Sequence, residues 1–337
     1  MAQRRKKSAG RHKNEERAPS RPILGIDIGG TGIKAAVIDR AGNILGRGKA
    51  RTAADKGTRE ILRRIHRAAE QACDQAGISL RDLALAGVAA PGAVDPRRGV
   101  VLEAVNLDWV DYPLHDVMEK HLGLPVTVDN DVTAATYAEN VLGAGEDSRH
   151  LLGVWLGTGL GGGLILNGEL YHGHFLTAGE LGRGVILPWA PPGAGALDQI
   201  CSRTGIADTI RKLLRTGRVS RITDLMDDDG EITSEHIARA YELRDDLVLE
   251  VVNHAAMILG TALGGTITLL SLGRVVVGGG LTAALGEPFL EEVRRAARKA
   301  AFPDRCKAAE IVPSRLGDDA GPVGIALIAK RRLGDQA

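Results

Sequence analysis

Three glycine-rich turns between apolar runs constrain the fold of this chain more than any other feature. The first is Gly29-Gly30-Thr31, which joins the apolar run 23–28 to the apolar run 33–38. Two strands joined by a tight turn are the natural interpretation. Because glycine lets the backbone approach an anion and point N–H groups at it, such a turn can hold a phosphate. Asp27, at the end of the first strand, could hold a hydrated Mg²⁺ beside that phosphate.

The other two turns lie much later in the chain. Residues 156–163 read Leu-Gly-Thr-Gly-Leu-Gly-Gly-Gly, and residues 275–280 read Val-Val-Val-Gly-Gly-Gly before an alanine-rich helical segment. None of the three turns fits the lysine-containing nucleotide motif GxxxxGK[ST] or a dinucleotide fingerprint. The turns therefore predict that β-hairpins facing each other across a cleft bind the phosphates.

Length and composition fit a two-domain globular protein. The chain has 337 residues, of which 44% are hydrophobic, and a net charge of +1. That charge gives the body no general attraction for nucleic acids or membrane surfaces. No apolar stretch is expected to reach the roughly 18–20 residues that span a bilayer. Three widely spaced cysteines (Cys73, Cys201 and Cys306) predict reduced thiols and a cytoplasmic location.

Residues 1–22 differ from the rest of the chain. This segment has eight lysines and arginines, two glutamates, and only a methionine and three alanines as apolar residues. Such a composition predicts a disordered basic tail. We expect a solvated extension, and nucleic-acid binding, to which only this tail could contribute, is the less favoured interpretation.

The periodicity of apolar residues predicts alternating strands and helices. Strands are predicted at 83–90 and 125–128, and helices at 57–77, 202–216, 234–243, 245–263, 287–301 and 322–333. This alternation predicts an α/β fold in which helices cover mixed sheets.

Eight segments, in order along the chain, resemble the ROK family (repressors, open reading frames and kinases) of sugar kinases. They are 25–39, 90–101, 106–109, 126–139, 156–170, 178–182, 275–281 and 321–327. The resemblance implies the two-domain fold of actin, sugar kinases and Hsp70 (ribonuclease H-like), with an interdomain cleft. It also implies a small domain at 23–135 and a large domain at 136–337, whose last helix packs back onto the small domain.

The resemblance also implies the reaction, which is transfer of the γ-phosphoryl group of ATP to a primary hydroxyl of a sugar. Asp131, in the segment Val-Asp-Asn-Asp at 128–131, matches the general base of the family. Asn130 matches the neighbouring residue that binds the sugar, and Asp129 is interpreted as structural. From spacing alone, Asp131 could instead cap the helix that begins here.

The acceptor pocket is expected to draw on several loops. Gly92 matches a glycine turn packed against the sugar ring, Asn106 lies in a segment that approaches the acceptor, and Glu180 matches a glutamate that binds sugar hydroxyls. Asp198 stands where many relatives have another sugar-binding glutamate. Arg183 replaces a histidine that contacts both zinc and sugar in many relatives, and an arginine brings a permanent charge.

Zinc binding is not expected in this chain. Many relatives hold a structural zinc ion with that histidine and a cysteine cluster, but the segment after Arg183 has only Cys201. One thiol cannot complete a four-ligand zinc site. His172 and His174 form an HxH pair, and both are predicted to be ordinary loop or pocket histidines.

The resemblance implies that the first two turns bind the phosphates of ATP and that the third lines the adenosine. The predicted residues are Gly29, Gly30, Thr31, Thr158, Gly159, Gly278 and Gly279. Asp27 is the predicted Mg²⁺ ligand, through a water molecule. Lys34 could neutralise phosphate charge or could point elsewhere along its strand, and both interpretations stay open.

Glucose is the expected acceptor, because it is the commonest in the family. Mannose, an N-acetylhexosamine, fructose and a C7 cyclitol are alternative acceptors, and polyphosphate is an alternative donor. A sugar-sensing regulator without catalysis is the alternative from another class, although residues 1–22 are too short and polar for a helix-turn-helix domain. A homodimer or a dimer of dimers is the expected assembly.

Overall fold

The structure, a computed structural model, describes residues 21–191, 194–227 and 230–333. These residues contain thirteen strands and nine α-helices. The strands are β1 (Ile23–Ile28), β2 (Gly32–Ile38), β3 (Ile44–Arg51), β4 (Leu85–Ala90), β5 (Ala93–Asp95), β6 (Val100–Ala104), β7 (Trp109–Tyr112), β8 (Val126–Asn130), β9 (Leu151–Leu156), β10 (Leu160–Leu166), β11 (Glu169–Leu170), β12 (Arg274–Gly278) and β13 (Glu310–Pro313). The helices are α1 (Thr58–Gln75), α2 (Leu114–Leu122), α3 (Asp131–Leu142), α4 (Leu197–Cys201), α5 (Arg203–Arg215), α6 (Ser234–Glu242), α7 (Asp246–Leu270), α8 (Gly280–Ala300) and α9 (Ala320–Leu333).

Two five-stranded sheets share one design. The first has the order β3-β2-β1-β4-β8 and the second the order β11-β10-β9-β12-β13. In each sheet an antiparallel hairpin, β1–β2 or β9–β10, contributes its first strand to the centre. One further strand, β4 or β12, pairs parallel with that central strand, and the last strand, β8 or β13, pairs parallel with this neighbour. The strands β5, β6 and β7 form a separate antiparallel sheet. The predicted α/β fold is confirmed, and the repeated design explains why similar glycine turns recur.

The last helix, α9, crosses the first sheet. It packs against β1, β4 and β8, and also against α3. Close contact requires glycines on the sheet, since a Cβ atom on Gly25 would lie 1.8 Å from the carbonyl oxygen of Pro322. A Cβ on Gly87 would lie 2.2 Å from the carbonyl oxygen of Ile325. The helix α9 is thereby held closely against β1 and β4.

The predicted domain boundary after residue 135 falls within α3. This helix packs against α9 and also against β9 and β10 of the second sheet, so it lies between the two sheets. A division into domains at 23–135 and 136–337 stays a prediction. The predicted disordered tail, 1–22, lies outside the described residues except for Arg21 and Pro22.

The expectation that no apolar stretch could span a membrane is wrong for α7. This helix has 25 residues, and an 18-residue window within it has a mean hydropathy of 1.5, so it could cross a membrane by length and composition alone. Of that window, 61% is buried inside the protein. Phe289 and Leu290 of α8 belong to the same buried cluster as its apolar residues. Its hydrophobic face is used in packing the core beside the second sheet.

Several elements differ in length from their predicted bounds. The predicted helix 202–216 is α5, and a separate short helix, α4, precedes it. The two meet at Ser202, whose hydroxyl caps α5 by accepting from the N–H of Gly205. The predicted helix 287–301 begins earlier, at Gly280, and bends at Gly286, whose φ of 65° is not helical, just before Pro288. Gly286 therefore divides α8 into a short first part, which follows the third glycine turn, and a longer second part that begins at Glu287.

Candidate functional site

The strand β8 ends where α3 begins, and this junction carries Asn130 and Asp131. Asn130 is the N-cap, because its side-chain oxygen accepts from the backbone N–H of Thr133 at 2.9 Å. Its amide nitrogen donates to Asp131 Oδ1 at 3.0 Å and to the carbonyl oxygen of Gly92 at 3.0 Å. Asp131 Oδ1 also accepts from the N–H of Val132 at 2.8 Å. The helix cap is therefore Asn130, and the Asp131 carboxylate is held at the first position of the helix.

The environment of Asp131 favours its protonated form. Burial is the main cause that raises the pKa of Asp131 to about 8, and the carboxylates of Asp27 and Glu180 raise the pKa further. The bond from the Val132 N–H lowers the pKa in part. A carboxyl group with this pKa can accept a proton near neutral pH, as general-base catalysis requires.

Asp27, at the end of β1, is the second carboxylate of the site. Its Oδ1 is buried and has no hydrogen-bond partner within residues 21–191, 194–227 and 230–333. Burial raises the pKa of Asp27 to about 6, the charge of Lys34 lowers it, and Asp318 raises it. Gly321, at the start of α9, leaves room for this side chain, since a Cβ there would lie 2.3 Å from Asp27 Oδ2. A buried oxygen without a partner beside a glycine turn fits a water-bound Mg²⁺ ion.

Lys34 is paired in this structure. Lys34 pairs with Asp27 in the register of β1 and β2. Its Nζ lies 2.7 Å from Asp318 Oδ1. Arg47 of β3 makes a similar bidentate contact with Asp319 at 2.8 and 2.9 Å. Both ion pairs connect the first sheet to the segment before α9, so the role of Lys34 towards phosphate stays a prediction.

A small cavity lies between the two sheets, beside Asn130. Its lining comes from both halves of the chain and comprises Gly92, Val94, Asp129, Asn130, Thr133, Gly162, His172, Leu176, Thr177, Ala178 and Glu180. The fold thus brings together three predicted acceptor residues, Gly92, Asn130 and Glu180. Gly92 has a φ of 84°, and a Cβ there would lie 2.1 Å from the carbonyl oxygen of Glu103, so only glycine fits this turn.

The other predicted acceptor residues do not belong to the lining of this cavity. Asn106 packs beside Gly30, where a Cβ would lie 3.4 Å from the Asn106 amide nitrogen. Burial raises the pKa of Glu180. Arg183, which is exposed, lowers that pKa in part through its charge, and Asp198 raises it further. Asp198 Oδ1 accepts from the backbone N–H of Leu160 at 2.6 Å, which supports the second glycine turn.

The first turn is closed by a hydrogen bond from the N–H of Gly29 to the carbonyl oxygen of Gly32 at 2.8 Å. Thr52, at the end of β3, secures it twice. Its hydroxyl donates to the carbonyl oxygen of Gly29 at 2.6 Å, and its N–H donates to that of Thr31 at 3.0 Å. The turn is therefore fixed by its own sheet.

The second turn is fixed by a helix N-terminus. The N–H of Gly157 donates to the carbonyl oxygen of Gly159 at 2.9 Å. At the start of α5, the N–H of Arg203 donates to the carbonyl oxygen of Gly157 at 3.0 Å, and the hydroxyl of Thr204 donates to that of Thr158 at 2.7 Å. Arg203 Nη2 also lies 3.4 Å from the Thr158 hydroxyl. This turn thus carries a guanidinium group that the first turn lacks.

The third turn, at Gly278 and Gly279, packs closely on the second sheet. A Cβ on Gly278 would lie 2.8 Å from the Trp155 ring, and one on Gly279 would lie 2.2 Å from the carbonyl oxygen of Leu156. Gly279 also has a φ of 93°, which disfavours any other residue. These glycines bring the start of α8 against the end of β9.

Within the described ranges, no group of three or more histidine, cysteine, aspartate or glutamate side chains could hold a metal ion. Cys73 and Cys201 are buried, Cys306 is partly buried, and all three are free thiols. The absence of zinc stays a prediction.

Several residues of this region have no signal in the local sequence. Asp129 is fully buried, and its carboxylate accepts from Arg332 Nη2 at 2.7 Å, His172 Nε2 at 3.0 Å and the N–H of Asn130 at 2.8 Å. Asp129 is therefore structural, as interpreted, but it joins three distant segments. The HxH pair was the only sequence signal for His172, and nothing in the local pattern indicated Arg203 or Arg332.

Comparison with known proteins gives a consistent result. The sequence pattern described as "ROK family" matches residues 23–332. The chain is 33% identical to a glucokinase of Halalkalibacterium halodurans over 314 residues, which cover 92% of this chain and 95% of the relative. It is 29% identical to a glucokinase of Thermotoga maritima, over 94% of this chain and 99% of the relative.

A solved structure is also similar. The ROK family glucokinase from Streptomyces griseus, in complex with glucose and AMPPNP, has a TM-score of 0.82 and 31% sequence identity. The match covers 92% of this chain and 99% of that protein. The similarity extends over both sheets and over the α9 helix that crosses the first of them.

Proposed function

This chain belongs to the ROK family, and from that premise we propose that it is an ATP-dependent hexose kinase with glucose as its acceptor. The observation that carries the proposal is the Asp131 carboxylate, held at the start of α3 beside Asn130 and raised in pKa to about 8. Glucokinases similar over nearly the whole chain, one of them solved with glucose and an ATP analogue, support the reaction and the acceptor.

Asp131 would act as the general base. A primary hydroxyl of the sugar attacks the γ-phosphorus of ATP, and Asp131 takes the hydroxyl proton. The bond between the γ-phosphorus and the bridging oxygen breaks, and ADP leaves. Asn130 keeps the carboxylate in position through its amide nitrogen, so that Asp131 does not need to reorganise before it accepts the proton.

The acceptor would bind at the cavity between the sheets, which in this structure has room for about one water molecule and would widen to admit a sugar. Asn130 and Glu180 line it and can bond sugar hydroxyls, and Gly92 permits close approach of the ring. We propose that Asn106, Arg183 and Asp198 act at its margin. A pocket built from hydrogen-bonding groups rejects molecules that lack the matching hydroxyls, and water is the smallest of these.

The triphosphate would lie at the glycine turns. Gly30 and Thr31 would offer backbone N–H groups in the first turn, which the Gly29 N–H closes. Thr158 and Gly159 would offer groups from the second turn, and we place the adenosine at Gly278 and Gly279. Asp27 would hold Mg²⁺ through a water molecule, and the ion supplies neutralisation of phosphate charge when it is bound with ATP.

The test is ATP consumption by the purified protein with a panel of hexoses, N-acetylhexosamines and cyclitols, with Asp131→Ala as the control. Turnover with glucose that the variant loses supports the proposal, and turnover with another sugar only would replace glucose as the acceptor. Polyphosphate in place of ATP tests the donor, and chelation of Mg²⁺ should stop turnover. Binding of sugar without any turnover would favour the regulator instead.

Location and assembly complete the proposal. We propose a cytoplasmic homodimer, since the family relatives are metabolic kinases and closed dimers are the commonest assemblies. Sedimentation equilibrium of the full chain would give the assembly directly.

A further inference from the structure

The two histidines of the HxH pair lie in different surroundings. His172 lines the cavity between the sheets, and its side chain is 20% exposed. His174 is exposed and packs edge-on against the ring of Phe175, with 4.6 Å between the ring centroids. Only His172 is therefore placed to meet a molecule in the acceptor cavity.

A buried carboxylate fixes the ring of His172. Its Nε2 lies 3.0 and 3.1 Å from the two oxygens of Asp129, whose side chain is 1% exposed. Asp129 also accepts from Arg332 at 2.7 Å, and that guanidinium carries a permanent charge. A carboxylate in this position only accepts hydrogen bonds, so the geometry assigns a proton to Nε2 of His172.

The other ring nitrogen, Nδ1, is the atom of His172 that is available to bind a sugar hydroxyl. In the part of the chain that the structure describes, no hydrogen bond to Nδ1 of His172 is present. In a neutral imidazole with its proton on Nε2, Nδ1 is an acceptor. A sugar hydroxyl that enters the cavity can donate to it, and a pocket with such an acceptor discriminates against a sugar that lacks that hydroxyl.

We propose that His172 binds one hydroxyl of the sugar acceptor through Nδ1, and that Asp129 and Arg332 are positioning residues that fix its ring. The inference rests on the proposed sugar-kinase function and adds a specificity residue to it. Three segments meet here, since Asp129 lies in β8 next to its last residue, His172 follows β11 and Arg332 lies near the end of α9. The last helix thereby influences the acceptor pocket without touching the acceptor.

The test compares His172→Gln with the matched control His174→Gln. The glutamine amide at residue 172 can still donate to Asp129 but offers no group at the position of Nδ1. We expect the KM for glucose to rise about tenfold in His172→Gln, the loss typical of one hydrogen bond, with kcat and the KM for ATP within about twofold. His174→Gln should match the wild type in all three.

Deoxy analogues of glucose identify the bond. The wild type should bind the analogue that lacks the hydroxyl contacted by His172 more weakly than glucose. The His172→Gln variant should bind this analogue and glucose equally well, and its preference for glucose over the other deoxy analogues should be unchanged. A wild-type KM for every sugar in this variant would overturn the inference, and so would an equal loss on all analogues. His172→Ala, which also offers no group at the position of Nδ1, replaces it if thermal unfolding shows that His172→Gln does not fold.

The positioning residues have their own test. Arg332→Gln should raise the KM for glucose with the same dependence on one hydroxyl, and the double variant with His172→Gln should add little to either change. An Arg332→Gln protein that loses thermal stability but keeps the wild-type KM would show that Arg332 is only structural. If the wild type phosphorylates no sugar, the proposed function fails, and the same variants compared by calorimetric glucose binding still decide the role of His172.

Discussion

The first and second glycine turns occupy equivalent places in two sheets of the same design, but they differ in what surrounds them. The first turn follows a strand whose last two residues are Asp27 and Ile28, and the last strand of its sheet leads into Asp131. The second turn follows a strand that ends in Trp155 and Leu156, and its neighbouring strand β12 leads into the glycines at 278 and 279. Carboxylates lie at the strand ends of the first sheet, and glycine and an aromatic ring lie at those of the second.

This difference indicates a division of work between two copies of one architecture. Acidic side chains can accept a proton and hold a metal-bound water, so the first sheet would control the chemical step. Backbone N–H groups, the Thr158 hydroxyl and Arg203 bind anions, so the second turn would mainly control ATP affinity. Variants in the first sheet should therefore change kcat, and variants at the second turn should change the KM for ATP.

The largest expected effect is that of Asp131→Asn. Loss of a positioned general base should lower kcat about 10²- to 10⁴-fold and leave the KM for ATP within about threefold, as measured by steady-state kinetics with glucose. A kcat within tenfold of the wild type would contradict the assignment of Asp131 as the base.

Thermal unfolding is the control for that variant. Because the folded-state pKa of Asp131 is raised, the fold prefers the protonated carboxyl, and ionised Asp131 destabilises the protein as pH rises from about 4 towards about 8. The neutral amide has no such cost, so the melting temperature of Asp131→Asn should equal or exceed that of the wild type at about pH 8. A lower melting temperature there would indicate a damaged fold.

The next largest effect is that of Asp27→Asn. Loss of a ligand to the Mg²⁺-bound water should lower kcat about 10- to 100-fold. The Asp27 charge also raises the pKa of Asp131, so the variant should shift the pH profile. The wild-type kcat/KM should rise with pH as Asp131 ionises, and in Asp27→Asn this rise should occur at lower pH. An unchanged acid limb between about pH 5.5 and 9.5 would show that the two carboxylates do not interact in solution.

The fold could be predicted largely because its signals are local and repeated. Apolar runs around glycine turns, as at Gly29 and Gly157, occur in both sheets, and each run is a strand of the predicted type. The extent of helices was less predictable. The helix α7 continues to Leu270, seven residues beyond its predicted end at Leu263, because packing of Ile267 in the core outweighs the glycines at 264 and 265.

The residues of the candidate site also include some that the sequence predicts and some that it does not. Asn130, Gly92 and Glu180 could be chosen from motifs, and the fold brings them to one cavity. The contact between Asp129 and Arg332 joins residues 203 positions apart, and that between Thr158 and Arg203 joins residues 45 apart. No local pattern encodes such pairs, since a single arginine on a helix surface is ordinarily solvated. The residue that we propose as the general base could be chosen from the sequence, but the residues that hold the pocket in place could not.

A smaller effect is expected from Gly157→Ala in the second turn. In the structure a Cβ at this position has no atom within 4 Å and φ is not in the left-handed region, so the fold should accept it and the melting temperature should stay within about 1 °C. If phosphate lies against this turn, the methyl group should raise the KM for ATP about tenfold and leave the KM for glucose unchanged. An unchanged KM for ATP would place the phosphates elsewhere. Gly168→Ala is a poor control because its φ is 82°, whereas Gly265→Ala, also with open space, is a suitable one.

The smallest expected effect is that of Arg203→Gln. This variant tests whether the second turn contributes to ATP binding alone or also to the chemical step. The guanidinium lies 3.4 Å from the Thr158 hydroxyl and 3.2 Å from Glu231 Oε1, so it stands beside the turn that we assign to the terminal phosphates. The neutral amide should raise the KM for ATP about three- to tenfold, less than full loss of a charged hydrogen bond, because the backbone N–H groups remain. Since the second sheet is proposed to bind and not to react, kcat should change less than about threefold. A kcat loss larger than the change in KM would mean that Arg203 stabilises charge in the transition state, and the two sheets would then share the chemistry.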